Sequence, residues 1–82
     1  MAHHSIGMCT HWHAMPGDTV AFVNSNATET ATVTQDGAWP FTADPGFKIP
    51  PAGFTTNLKS NLPNAIYYYD VDLCSKKSVT IP

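Results

Sequence analysis

Basic residues are scarce in this 82-residue chain, and arginine is absent from it. The four basic side chains are all lysines, and the formal net charge is −2. Contacts to phosphate depend on clustered Lys and Arg, and the reading of base edges favours Arg. The sequence therefore predicts no nucleic-acid partner.

Ionisable side chains of any kind are few, since charged residues make up 12% of the chain, about half the usual share. There is no Ser-His-Asp arrangement in a recognisable local context and no glycine-rich phosphate loop. Asp70 and Asp72 stand two positions apart and could form a carboxylate pair for acid–base work, but a polar strand end is the plainer interpretation. We therefore expect no catalytic residues and no enzymatic activity.

Long apolar runs and helical periodicity are also missing. No stretch approaches the roughly 20 apolar residues that a membrane span needs, so no span is expected. Residues 1–5 are polar and do not read as a secretory signal; residues 1–4 are either the start of a mature protein or a cloning remnant. No window repeats apolar residues at helical spacing over three turns, so the expected helix content is close to nil.

Turn signals such as Pro16-Gly17-Asp18 and Gln35-Asp36-Gly37 cut the remainder into short stretches rich in β-branched and aromatic residues. Residues 39–51 contain four prolines and predict an irregular crossover whose aromatics fill the core. This pattern predicts one all-β domain over residues 1–82, a small Greek-key β-sandwich with almost no helix, in which residues 1–5 are flexible. The predicted strands cover residues 6–14, 19–24, 28–34, 54–59, 65–72 and 78–81.

Alternation within these strands assigns their faces. Val20 and Phe22 share one face and are expected to point inward. In the first predicted strand the even positions Ile6, Met8, Trp12 and Ala14 are apolar, and odd positions carry Cys9, His11 and His13.

The two cysteines, Cys9 and Cys74, lie near opposite ends of the chain. An even count in a small Thr-rich domain predicts a disulfide and an oxidising compartment, periplasmic or extracellular. The loop that it closes would contribute about 4 kcal/mol in the chain-entropy model. Two free thiols are the alternative that the sequence leaves open.

Several segments resemble cupredoxins, the small blue-copper electron carriers. Residues 16–24, with Gly-Asp-Thr-Val leading into an alternating strand that ends in Asn, resemble the family's second strand. Residues 31–34 stand where cupredoxins have His-Thr-Val-Thr, and residues 66–70 resemble the Tyr-rich strand before the copper cysteine. The resemblance implies a cupredoxin-like sandwich, with an immunoglobulin-like sandwich as the competing fold.

The same resemblance implies a type-1 copper site that the residues do not provide. Such a site needs two His, one Cys and a weak axial ligand. The first His falls on Ala31, the Cys on Asp70, the second His on or near Leu73 and the axial Met near Lys76. The expectation is a cupredoxin-like chain without a type-1 copper centre and without a cofactor.

The N-terminal segment supports an alternative with copper or zinc as cofactor. Cys9, His11 and His13 would share a face of one strand, and Met8 and Met15 flank them. Thiolate, imidazole and thioether suit copper, and Cys with His suits zinc. An amino terminus followed by His3 or His4 could also bind Cu(II). The plainer interpretation makes His11 and His13 solvated edge residues and commits Cys9 to Cys74.

Three consecutive tyrosines, Tyr67, Tyr68 and Tyr69, form a candidate binding patch for a protein or glycan. Tyr68 should face the opposite way from its two neighbours, because strand residues alternate. The leading hypothesis is therefore a non-enzymatic, extracytoplasmic β-sandwich with a partner-binding or structural role. Short edge strands also leave room for an edge-to-edge homodimer.

Overall fold

A computed structural model describes residues 2–82 as eight strands and, within that range, no helix. This confirms the predicted all-β class. The described range also holds no helix long and apolar enough to cross a membrane. The strands are β1 (His3–Gly7), β2 (Trp12–His13), β3 (Thr19–Val23), β4 (Ala31–Gln35), β5 (Phe47–Ile49), β6 (Phe54–Asn57), β7 (Ala65–Val71) and β8 (Lys76–Ile81).

The strands form two sheets packed as a sandwich. One sheet has three strands in the order β1-β3-β6, and the other has five in the order β2-β8-β7-β4-β5. β1 runs parallel to β3 and β2 runs parallel to β8, whereas all other neighbours are antiparallel. The chain therefore begins in the small sheet and crosses to the edge of the large one between β1 and β2.

The single strand predicted over residues 6–14 is wrong. Its place is taken by β1 and β2, separated by a turn in which Thr10 N–H donates to the Gly7 carbonyl at 3.1 Å. Hydrophobic alternation continues across the turn, with Met8, Trp12 and Ala14 all buried, and this concealed the break. As a result Cys9 lies in the turn and does not share a strand face with His11 and His13.

The crossover predicted over residues 39–51 is irregular for most of its length but contains β5, which pairs with β4. Phe41 also forms a bridge with Leu58, and both side chains are buried. The prolines at both ends of this segment indicated irregular structure. The pairings of β5 with β4 and of Phe41 with Leu58 were not visible in the sequence, because the partners are distant along the chain. The expected aromatic filling of the core is observed.

The core lies between the sheets and is rich in aromatic rings. Val20 and Phe22 point inward, as their alternation predicted. Phe22, Phe41 and Tyr69 contact one another with ring centroids 5.2–6.2 Å apart in edge-to-face arrangements. Such pairs contribute about 0.5–1.5 kcal/mol each beyond the burial of their area.

The polar groups of two buried aromatic side chains, Trp12 and Tyr69, form a hydrogen bond with each other inside the core. Trp12 Nε1 donates to the Tyr69 hydroxyl at 2.9 Å and so links β2 to β7. Burial raises the pKa of Tyr69 to about 12, because a phenolate would lose its hydration there. Tyr69 is therefore a neutral structural residue at any physiological pH.

The predicted disulfide between Cys9 and Cys74 is present and closes the chain across a separation of 65 residues. Its Cα atoms lie 5.5 Å apart, within the usual range for such bonds. It joins the β1–β2 turn to the β7–β8 loop, so it ties the crossing point of the N-terminal segment to the large sheet.

Residues 3–5 lie in β1 and pair with β3, while Met1 lies outside the described residues. The expected flexibility of residues 1–5 stays a prediction, because strand pairing does not measure motion.

Candidate functional site

The three tyrosines of the candidate patch divide between the two faces of β7. Tyr67 and Tyr69 point into the core, with 6% and 0% of their surface exposed, whereas Tyr68 is 44% exposed on the outer face of the five-stranded sheet. The Tyr67 hydroxyl donates to the Pro63 carbonyl at 2.6 Å. Tyr68 is therefore the member of the trio that can meet a partner.

Ile66 extends the exposed surface around Tyr68. It lies two positions earlier on the same face of β7 and is 51% exposed. Sequence reasoning missed Ile66 as a surface residue, because an isoleucine in a strand is normally assigned to the core. Its even-numbered position beside Tyr68 was the signal that could have placed it outside.

The Tyr68 ring is held from one side by Lys76 of β8. The Lys76 ammonium lies 5.7 Å from the ring centroid, within the range of a cation–π contact. The same ammonium forms an ion pair with Asp36 at 2.9 Å. Hydrogen bonding to Asp36, together with its negative charge, raises the pKa of Lys76. Asp36, Lys76 and Tyr68 thus form a chain of contacts that orients the ring.

His11 borders this surface on the β2 side. Its Nδ1 is hydrogen-bonded to the Ser78 hydroxyl at 2.9 Å, and Ser78 pairs with Tyr68 across β8 and β7. His13 is exposed on the same edge of the sheet, beside Thr80. We call Ile66, Tyr68, Lys76 and His11 the Tyr68 surface.

The structure separates the residues of the candidate N-terminal metal site. Cys9 is bonded to Cys74, so it offers no thiolate, which is the form of cysteine that binds metals. Met15 is exposed beyond β2 in the turn before β3. Among residues 2–82, no group of three or more His, Cys, Asp or Glu side chains is placed to hold a metal ion. The copper or zinc alternative is not favoured by this arrangement.

The positions that the cupredoxin resemblance assigns to copper ligands meet at one end of the large sheet. Asp72 accepts from Thr32 N–H at 2.8 Å, which joins the start of β4 to the loop after β7. Ala31 is fully buried there, and Leu73 is exposed in the loop. A methyl group, the Asp70 carboxylate, an aliphatic side chain and an ammonium do not fit the His, Cys and Met donors of a type-1 site.

A buried carboxylate, Asp18, organises the start of the small sheet. It accepts from Ala2 N–H at 3.0 Å, from Met15 N–H at 2.9 Å and is bonded to His4 Nε2 at 2.9 Å. The hydrogen bond from His4, with those from the backbone of Met15 and Ala2, lowers the pKa of Asp18 to about 2. The sequence predicted a turn role for Asp18 but not its contact with His4, which depends on the pairing of β1 with β3.

A shallow cleft of about 220 Å³ lies between β3 and the turn that leads into β6. Its walls include Val23, Asn24 and Pro51, and none of its lining side chains is ionisable. The lining of this cleft therefore offers no side chain that could act as a general acid or base. In the candidate carboxylate pair, Asp72 accepts from Thr32 N–H, and Asp70 lies opposite Lys76.

The fold is similar to that of a protein of known structure. A pseudoazurin from Sinorhizobium meliloti superposes with a TM-score of 0.61 over 100% of this chain and 76% of that chain, at 20% sequence identity. At this identity the likeness shows a cupredoxin-like fold alone. No protein-family model matches the sequence, and no curated protein matches it closely enough to count as a relative.

Proposed function

We propose that this chain is a non-enzymatic partner-binding module of an oxidising, extracytoplasmic compartment, and that the Tyr68 surface is its contact site. The observation that carries the proposal is the exposure of Tyr68 and Ile66 side by side on an otherwise polar sheet face. Adjacent exposed aromatic and aliphatic side chains mark surfaces that bind partners. Scattered single apolar residues would carry no such meaning.

The orientation of Tyr68 adds to this argument. Its ring is already held by Lys76, which is itself paired with Asp36. A side chain that is ordered before binding loses less conformational entropy when a partner covers it. Tyrosine in such a position is also among the residues that contribute most to binding energy at interfaces.

The composition of the surface favours a protein over a glycan. Lys76 lies over one face of the Tyr68 ring, so that face is not open for stacking on a sugar. The exposed apolar neighbour, Ile66, adds aliphatic area and no hydrogen-bonding group. Protein interfaces combine such an apolar centre with a polar rim, and here His11 and Asp36 supply the rim.

The compartment and the absence of a type-1 copper centre are part of the proposal. Disulfides persist in oxidising compartments and are rare in the cytosol, and Cys9–Cys74 supports the former. The side chains at the copper-ligand positions, Ala31, Asp70, Leu73 and Lys76, support a role other than type-1 electron transfer. The lack of ionisable groups in the cleft supports a non-enzymatic role.

Site-specific photocrosslinking tests the surface. A photoreactive amino acid replaces Ile66 in one protein and Val23 in a matched control, since Val23 is similarly exposed, at 49%, but lies on the opposite sheet. Each protein is irradiated in an extracellular extract of its source cells. We expect a discrete adduct from position 66 that is absent from position 23 and lost when Tyr68→Ala is added.

The crosslinked partner is then purified and titrated against the wild-type chain. Tyr68→Ala should weaken binding by about tenfold or more, as expected for a central interface tyrosine, while Val23→Ala should leave the Kd unchanged. Equal adducts from both positions, or a Kd insensitive to Tyr68→Ala, would contradict the proposal. Inhibition of the adduct by free oligosaccharides would assign the surface to a glycan instead.

A further inference from the structure

We infer that His11 and His13 form a two-imidazole site for a divalent transition-metal ion on the outer face of the five-stranded sheet. Both side chains are exposed, and Trp12 between them is buried. Imidazole is a ligand that suits zinc, copper and nickel. The ion would lie at the β2 edge of the Tyr68 surface, and its binding goes beyond the function proposed above.

The pairing of β2 with β8 places the two imidazoles on one face. His13 pairs with Thr80 of β8, and Ala14 N–H donates to the Thr80 carbonyl at 3.0 Å. Trp12 and Ala14 are buried in the core, so the residue before them and the residue between them point outward. Residues two apart on a strand have Cα atoms roughly 6.6 Å apart. Rotation about the side-chain bonds brings two rings at this spacing within reach of one ion.

A hydrogen bond between His11 and β8 prepares one of the two rings. His11 Nδ1 is bonded to the Ser78 hydroxyl at 2.9 Å, and Ser78 is 8% exposed. An imidazole that binds a metal through one nitrogen is usually held through the N–H of the other, which fixes its tautomer and its orientation. A neutral His11 ring with its proton on Nδ1 donates to Ser78 and keeps the Nε2 lone pair for a metal. Ser78 is therefore a positioning residue of the site.

The charges near the pair do not oppose a bound cation. Lys76 lies on the same face of β8, two positions before Ser78, but its ammonium is paired with Asp36 at 2.9 Å. The Lys77 ammonium is bonded to the Ser75 hydroxyl at 3.1 Å, in the loop before β8. The chain as a whole carries a formal net charge of −2.

This site differs from the cluster that the sequence suggested. The disulfide removes Cys9, and Met15 begins the turn before β3, where its N–H donates to Asp18 at 2.9 Å. Within residues 2–82, no third His, Cys, Asp or Glu joins the two imidazoles, so water completes the coordination of the ion. Structural zinc sites have four protein ligands. With two, we expect reversible binding with a dissociation constant in the micromolar range.

Titration with Zn(II), followed by NMR of the imidazole nitrogens, tests the site. Zn(II) is the probe because it prefers tetrahedral coordination, whereas the square-planar nitrogens of an amino terminus with an early His select Cu(II) or Ni(II). We expect Zn(II) to shift the ring signals of His11 and His13 together, with Nε2 of His11 as the bound nitrogen. The ring signals of His3, which lies on the other sheet, should stay in place.

Substitutions separate the ligands from their surroundings. His11→Gln and His13→Gln should each raise the Kd for Zn(II) at least as much as loss of an outer partner does, which is about tenfold or more. Ser78→Ala should raise it by about tenfold and should also shift the His11 tautomer equilibrium in the metal-free protein. His3→Gln is the matched control, and Met15→Leu removes the thioether; both should bind Zn(II) like the wild type. Circular dichroism checks that each variant is folded.

Absence of any ring shift at near-millimolar Zn(II) would overturn the proposal. A Kd that depends on only one of His11 and His13 would overturn it as well, because the two rings would then not share an ion. Loss of binding in His3→Gln or in Met15→Leu would place the ion in a different site. None of these outcomes depends on whether the Tyr68 surface binds a partner.

Discussion

At the scale of single residues, Asp18 contributes more to this fold than its place in a turn suggests. Its carboxylate receives hydrogen bonds from the backbone of Ala2 and Met15 and contacts the His4 ring. It therefore joins the N-terminal strand, the turn before β3 and β3 itself. Buried charges persist where such bonds replace hydration, and here the bonds come from two other segments, the N-terminal strand region and the turn before β3.

The depressed pKa of Asp18 predicts how stability depends on pH. Its pKa is about 2 in the folded chain against an ordinary 3.8, so the charged form is stabilised by folding. This contribution is complete above the unfolded pKa and is lost as the pH falls from about 5 to about 2. Asp18→Asn should lower the free energy of unfolding by on the order of 1–3 kcal/mol at neutral pH.

Urea unfolding at a series of pH values measures this effect. The difference between wild type and Asp18→Asn should shrink as the pH approaches 2, because the wild-type carboxyl is then protonated too. Asp44→Asn is the matched control, since Asp44 is exposed, and it should follow the wild-type curve. A difference that is constant from pH 7 to pH 2 would show that the charge of Asp18 is not what stabilises the fold.

At the scale of elements, the shortest strand of the sandwich is β2, which has two residues. It is held by its pairing with β8, by the Trp12–Tyr69 hydrogen bond and by the disulfide next to it. Both cysteines also lie in turns with their own backbone bonds, from Thr10 to Gly7 and from Cys74 to Val71. These bonds would keep the local shape if the disulfide were absent.

Removal of the disulfide should therefore act mainly through the unfolded chain. We expect the Cys9→Ala/Cys74→Ala protein to keep the fold but to lose about 2–4 kcal/mol of unfolding free energy. Wild-type protein reduced by a dithiol should show the same loss. Chemical denaturation of the three samples measures it, and a loss below about 1 kcal/mol in both would contradict the assigned role.

At the scale of the whole molecule, the chain combines a cupredoxin-like sandwich with side chains unlike the donors of a type-1 site. We expect Cu(II) titration of the oxidised protein to give no intense blue absorption near ~600 nm, the signature of copper bound to thiolate. Weak Cu(II) binding by N-terminal nitrogens should decrease in His3→Gln. An intense band that survives His3→Gln would contradict the proposal and reveal a thiolate site.

Much of this architecture could be predicted from local pattern. Strict alternation in Val20 and Phe22, and in the tyrosines of β7, assigned faces that burial bears out. The Pro and Gly turn signals gave most strand positions to within a few residues. These features depend on near neighbours along the chain, so the sequence carries them directly.

The errors arose where distant segments decide the outcome. The break between β1 and β2 follows from the need of β1 to pair with β3 and of β2 to pair with β8, and apolar alternation runs through it unchanged. β5 forms because its backbone pairs antiparallel with β4. The candidate metal cluster depended on one continuous strand and separated once that strand was divided.

The amino-acid sequence by itself determined the fold class, the one disulfide pairing possible within the chain and the residue types available for chemistry, because these follow from composition, alternation and a count of two cysteines. Only the tertiary structure decided which tyrosine is exposed with Ile66, that Lys76 and Asp36 orient it, and that Ser78 is bonded to His11. Those outcomes rest on pairings between residues far apart in the chain, and local pattern does not encode which strand finds which neighbour.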